Sequence, residues 1–195
     1  MMETHALMKK ALYPLLLLPL LFCTQVMAET TAPGLSETEL ARTWIARQEI
    51  AALQRRYAQA TDMMAGGGTS AAAKVSALYL QIFTADADMG VKDGPTFPGP
   101  EAWLELVKDR LGPLESAQHL IGSQLVEIQS LPDKNGDGGT ATMRSYLQAT
   151  HVEKNGTLER VLGIYHAKAV HKAGNGWKLS EMTLEVLSTD TAKRD

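Results

Sequence analysis

Apolar positions along this chain recur at helical spacing as far as Gly112-Pro113 and at every second residue beyond it. From Glu37 to Met63, Leu40, Trp44, Ile50, Leu53 and Tyr57 predict one long helix that buries those five side chains. Ser36 and Glu39 form a capping-box pattern at its start, and Gly66-Gly67-Gly68 ends it. Ser70 is placed to cap a second helix through Phe83, with Val75, Leu78, Tyr79 and Phe83 toward the core. A short strand near Asp88 to Lys92 and a loop with Pro95, Pro98 and Gly99 follow. Pro100 then suits the first turn of a third helix, Glu101 to Leu111.

Beyond that point four strands are expected: Ala117 to Gln129, Thr140 to Glu153, Leu158 to Lys172 and Trp177 to Leu187. Asn135-Gly136-Asp137-Gly138, Asn155-Gly156 and Gly174-Asn175-Gly176 supply the turn chemistry between them. Three helices followed by a meander of long hairpins predict an α+β layer fold with the helices on one face of the sheet. Alternation puts Ala141, Met143, Ser145, Leu147, Ala149 and His151 on one face of their strand, and Tyr146 on the other. It also groups His119 with Ile121, Ser123 and Leu125. In the third strand, Leu162, Ile164 and His166 oppose Val161, Gly163, Tyr165, Ala167 and Ala169. Because both faces of that strand are largely apolar, one is expected to face a cavity and the other a second subunit in a homodimer.

The segment before the first helix predicts an exported protein. Lys9-Lys10 precede an apolar run from Ala11 to Phe22, and Val26-Met27-Ala28 ends in the small residue that cleavage requires. Residues 1–28 are thus expected to be a signal peptide and residues 29–36 a flexible leader. The domain spans 37–188, and 189–195 form a tail. The run is short for a bilayer-spanning helix, and Phe22 before Cys23 argues against lipidation, so no stable membrane anchor is expected. Cys23 is the single cysteine, and after cleavage at Ala28 the chain has no disulfide to rely on. The formal net charge of −3 becomes one unit more negative on loss of Lys9, Lys10 and Glu3, which argues against nucleic acid or an anionic membrane as partner.

The candidate chemistry lies at Asp62, His119 and His151. Two strands joined by one hairpin bring the start of the first beside the end of the second, so His119 and His151 are expected at the same edge of the sheet. Asp62 closes the first helix on a stripe with Ala51 and Ala58, whose small side chains leave space ahead of the carboxylate. An aspartate that orients an imidazole makes a general base near neutral pH, and a second imidazole can return the proton. The plain alternatives are a core histidine bonded to a carbonyl and a solvated acid at the helix end. The three side chains show no metal-ligand spacing, and neither a metal nor another cofactor is expected. Asp133-Lys134-Asn135-Gly136-Asp137-Gly138 copies half a calcium loop, but Arg144 occupies the position that needs a glutamate, so a polar turn is expected. Trp44 and Trp103 are expected in the core.

Tyr57-Ala58-Gln59-Ala60-Thr61-Asp62, Leu78 to Ala87, Gln118-His119-Leu120-Ile121-Gly122 and Gly176-Trp177-Lys178-Leu179 resemble the SnoaL-like branch of the nuclear transport factor 2-like superfamily. The resemblance covers roughly Glu37 to Leu187, and its functional pattern is similar to that of scytalone dehydratase and hexachlorocyclohexane dehydrochlorinase. It implies a cone-shaped, curved antiparallel sheet wrapped around N-terminal helices. It also implies a lyase or isomerase that needs no cofactor and acts on a small apolar cyclic or polyketide-like molecule. Asp62 and His119 take the places of the acid–base pair, His151 that of a second histidine, and His166 that of an asparagine. Thr61 and Gly90 stand where scytalone dehydratase holds a water with two tyrosines. Tyr57, Met143, Leu147 and His166 are the expected substrate contacts. The rival expectations are a binding module for an apolar ligand and a dimeric association domain without chemistry.

Overall fold

The computed structural model describes Gly34 and residues 36–193, so the signal-like segment and most of the leader lie outside the described residues. Ser36 caps α1 (Glu37–Asp62) with a complete capping box. Its hydroxyl oxygen accepts from the Glu39 backbone N–H at 3.3 Å, and the Glu39 carboxylate accepts from the Ser36 N–H at 2.9 Å. α2 (Gly68–Ile82), β1 (Phe83–Val91), β2 (Thr96–Pro98) and α3 (Gly99–Leu111) follow. Four long strands complete the domain: β3 (Ser116–Ser130), β4 (Gly139–Val152), β5 (Thr157–Lys172) and β6 (Gly176–Lys193). They lie in one curved, open sheet of order β2-β1-β6-β5-β4-β3. β3 to β6 form the expected antiparallel meander, whereas β1 runs parallel to β6, to which it is joined through β2, α3 and the other three strands rather than by a hairpin.

α1 lies antiparallel to β3. Asp62 meets His119 near the strand's start, the Ala51 carbonyl meets Gln124 midway, and Arg42 reaches the Pro132 carbonyl past its end. Ile50, Leu53 and Tyr57 are buried as expected, but Leu40 and Trp44 are not, and Trp44 is 63 % exposed. The reason is position: Trp44 lies with Arg47 and Gln48 against Gln124 to Glu127 of β3, the edge strand of the sheet, where nothing covers it from outside among the described residues. α2 begins two residues before Ser70, whose hydroxyl donates to the Gly67 carbonyl instead of capping. The core is centred on Tyr57, whose ring packs edge-on to Phe83 and Tyr165 at 5.6 and 5.9 Å between centroids. Trp103 on α3 joins it.

Two departures bear on the site. β3 carries a bulge between Gly122 and Leu125, with Ser123 at φ 45°, and one extra residue reverses which face the strand's second half buries. His119 and Ile121 therefore face inward, but Leu125 points out at 58 % exposure and Val126 takes the core position. β6 also runs on through Lys193, which pairs with Thr157, so residues 189–193 are sheet rather than tail.

Candidate functional site

The C-terminal end of α1 and the first half of β3 are joined by one carboxylate. Asp62 Oδ1 lies 2.6 Å from His119 Nδ1, and Oδ2 accepts the His119 backbone N–H at 3.2 Å. An ionised aspartate accepts the proton on Nδ1, which leaves Nε2 as the basic nitrogen. The His119 side chain is only 8 % exposed and lines a cavity of about 320 Å³. Asp62 stands behind it. Tyr57, Trp103, Val107, Leu147, Val161 and Leu184 are among the residues of the cavity's apolar wall.

Register brings in the second imidazole. His119 pairs with Ala149 and Ala117 with His151, so the two histidines are diagonal neighbours on the inner face, with ring centroids 5.4 Å apart. Opposite His151 on β5 is Glu159, and His151 Nδ1 lies 2.8 Å from Glu159 Oε2. His151 Nε2 is buried with no hydrogen-bond partner. The cavity end of the sheet thus holds two carboxylate–imidazole pairs. Sequence reasoning missed Glu159 for a reason of register. A two-residue turn at Asn155-Gly156 would set residue 160 against 151, whereas the turn spans residues 154–156, which sets Glu159 there and puts it with Val161 and Tyr165 on the inner face.

Behind the imidazoles lie buried hydroxyls. Trp103 Nε1–H donates to Tyr57 Oη at 2.9 Å, and Thr61 Oγ1 and Tyr79 Oη share a hydrogen bond of 2.6 Å. Burial pushes the Tyr57 phenol up, and burial with the neighbouring Tyr57 holds Tyr79 and Tyr165 well above the usual phenol range. These groups stay neutral and can donate hydrogen bonds, but they do not serve as bases.

Of the four expected substrate contacts, Tyr57 and Leu147 line the cavity. Met143 is buried four residues nearer the start of β4, with its sulfur 3.8 Å from the Gln124 amide, and takes no part in the lining. His166 is on the outer face, 46 % exposed and bonded to Glu185 at 3.0 Å, because it shares the outward parity of Leu162. Tyr165 reaches the cavity and Tyr146 does not. Thr61 lines the cavity too. Gly90 has a steric cause: a Cβ there would lie 2.8 Å from the Pro95 carbonyl oxygen, so no larger side chain fits beneath the β1–β2 hairpin. The calcium-like loop is a turn, since Asp133 Oδ1 accepts the N–H groups of Asn135 and Asp137 at 2.8 and 2.9 Å.

A curved six-stranded sheet packed with three helices around an inward-facing polar centre defines the α+β class called nuclear transport factor 2-like, or cystatin-like. Within it, residues 42–183 match the model of the SnoaL-like domain, and the chain belongs to that family. No curated protein sequence matches it. Solved structures do. A candidate scytalone dehydratase from Novosphingobium aromaticivorans aligns with a TM-score of 0.63 at 15 % identity, covering 80 % of this chain and 93 % of that one. The hexachlorocyclohexane dehydrochlorinase LinA-type3 from Novosphingobium barchaimii aligns at 0.59 and 16 % identity, covering 80 % and 94 %. An ntf2-like protein with a cystatin-like fold, also from Novosphingobium aromaticivorans, aligns at 0.59 and 20 % identity, covering 78 % and 91 %. At such identities the likeness is one of fold.

Proposed function

We propose that this domain is a cofactor-independent acid–base enzyme, a dehydratase, dehydrohalogenase or isomerase acting on a small apolar cyclic or polyketide-like molecule. The 2.6 Å bond between Asp62 and a His119 ring almost wholly withdrawn from water, at the wall of an apolar cavity, carries this reading. Asp62 fixes the tautomer, and His119 Nε2 removes a proton beside a carbonyl or leaving group. His151 protonates the departing group or holds the developing oxyanion. The phenols of Tyr57 and Tyr165, kept neutral by burial, offer donors to a substrate oxygen. The names of two structural neighbours, a candidate scytalone dehydratase and a dehydrochlorinase, support the reading. Incubating wild type and His119→Ala with a metabolite library, followed by mass spectrometry, tests it. Loss of water or hydrogen halide from one compound, absent with the mutant, is expected. Identical profiles would leave a binding module.

The same reading has the domain exported on its signal-like segment. It also pairs two copies through the outer sheet face, where Leu120 and Leu162 flank Gln148 in one cross-strand row and both side chains are exposed.

A further inference from the structure

We propose that Glu159 is the positioning residue of a second proton-transfer group, His151, so that the cavity works with two carboxylate–imidazole pairs, one taking a proton and one giving it. The inference rests on the acid–base reading above and adds to it a residue and a division of labour. A histidine held for structure alone satisfies both ring nitrogens, since a buried polar atom without a partner is destabilising. His151 does not. Its Nδ1 is bound to Glu159 at 2.8 Å, its side chain is 13 % exposed and belongs to the cavity lining, and its Nε2 is buried without a partner among the described residues. The unmet nitrogen calls for a polar atom that the protein does not supply and a substrate would. Glu159 sits on the strand next to that of His151, across from it in register, so the rigid sheet itself aims the ring.

The roles divide by what each carboxylate holds. Asp62 binds both the ring and the backbone N–H of His119, which fixes that ring as the base. Glu159 binds only the ring of His151 and neutralises the imidazolium when Nε2 carries a proton to donate. In a dehydration, His119 Nε2 takes the proton from carbon and the C–H electrons become the new double bond. The C–O pair leaves with oxygen, and the His151 Nε2 proton joins that oxygen to release water. His119 ends protonated and His151 neutral. A proton passing between the rings, 5.4 Å apart between centroids, resets the site.

The test uses the full domain and nitrobenzisoxazole, a small apolar probe. Removal of its ring C–H proton breaks the N–O bond and leaves a phenolate oxygen for His151 to bond. Heteronuclear NMR of the ring nitrogens is read alongside. The wild type is expected to keep a proton on His151 Nδ1 in both ring states, the neutral tautomer and the imidazolium whose Nε2–H is donated. Glu159→Ala should mix the tautomers without disturbing the His119 signals, and should lower kcat by about 10² with KM little changed. Glu159→Gln, whose carbonyl still accepts from Nδ1–H, should restore the tautomer and part of the rate. Unchanged His151 signals in Glu159→Ala overturn the proposal. So does full turnover in Glu159→Ala where His119→Ala has lost it, an outcome that leaves the Asp62–His119 reading standing. Wild-type turnover no higher than that of His119→Ala overturns both.

Discussion

Asp62–His119 and Glu185–His166 are the same chemical pair on opposite faces of one sheet. Inside, His119 is nearly closed off and its carboxylate serves it alone; outside, His166 is half exposed and shares Glu185 with Lys92, which lies 2.7 Å from that carboxylate. The two carboxylates are equally exposed, at 25 and 26 %, so the contrast lies in the rings: water reaches His166 and can replace a lost bond there, and hardly reaches His119. Identity of residues is therefore a poor guide to a site; what surrounds them decides.

The sharpest way to break this contrast is to make one change in both pairs. Asp62→Asn is expected to lower turnover by about 10²–10⁴, and Glu185→Gln to leave it unchanged, measured on the substrate of the metabolite screen or on nitrobenzisoxazole. Equal losses would remove the distinction between the faces. Leucines sharpen it next. Leu147→Ala, on the inner face, should cost about 2–5 kcal/mol in denaturant unfolding. Leu162→Glu, outside, should leave the fold intact and convert a dimer to monomer in sedimentation; a chain sedimenting as a monomer before the change would remove the outer face as an interface. The smallest effect is electrostatic. Lys92 beside Glu185, with His166, holds its carboxyl below the usual range. The folded pKa is depressed, so the contribution is present above the unfolded value and is lost as pH falls through the folded one. Because the group is solvated, the melting midpoints of wild type and Glu185→Gln should differ only slightly at neutral pH and converge in acid.

Period and register made much of this legible beforehand. The inward set of β4, from Ala141 to His151, follows from alternation alone, and the meeting of His119 with His151 follows from one hairpin. What stayed hidden depends on events that a local pattern does not encode. The bulge at Ser123 reversed Leu125 and Val126, and the place of β3 at the sheet edge left Trp44 beside it in solvent. The parallel pairing of β1 with β6 comes from chain routing, which periodicity does not carry. Glu159 and His166 are different cases: parity sets them on opposite faces, but which face lies inward depends on one extra residue in the turn at 154–156.

Asp62 holds more than a ring. Because its second oxygen takes the backbone N–H of His119, the acid also clasps the end of a helix to the first half of a strand. Undocking of α1 and loss of the reactive arrangement thus become a single event, and amide exchange at residue 119 would time both.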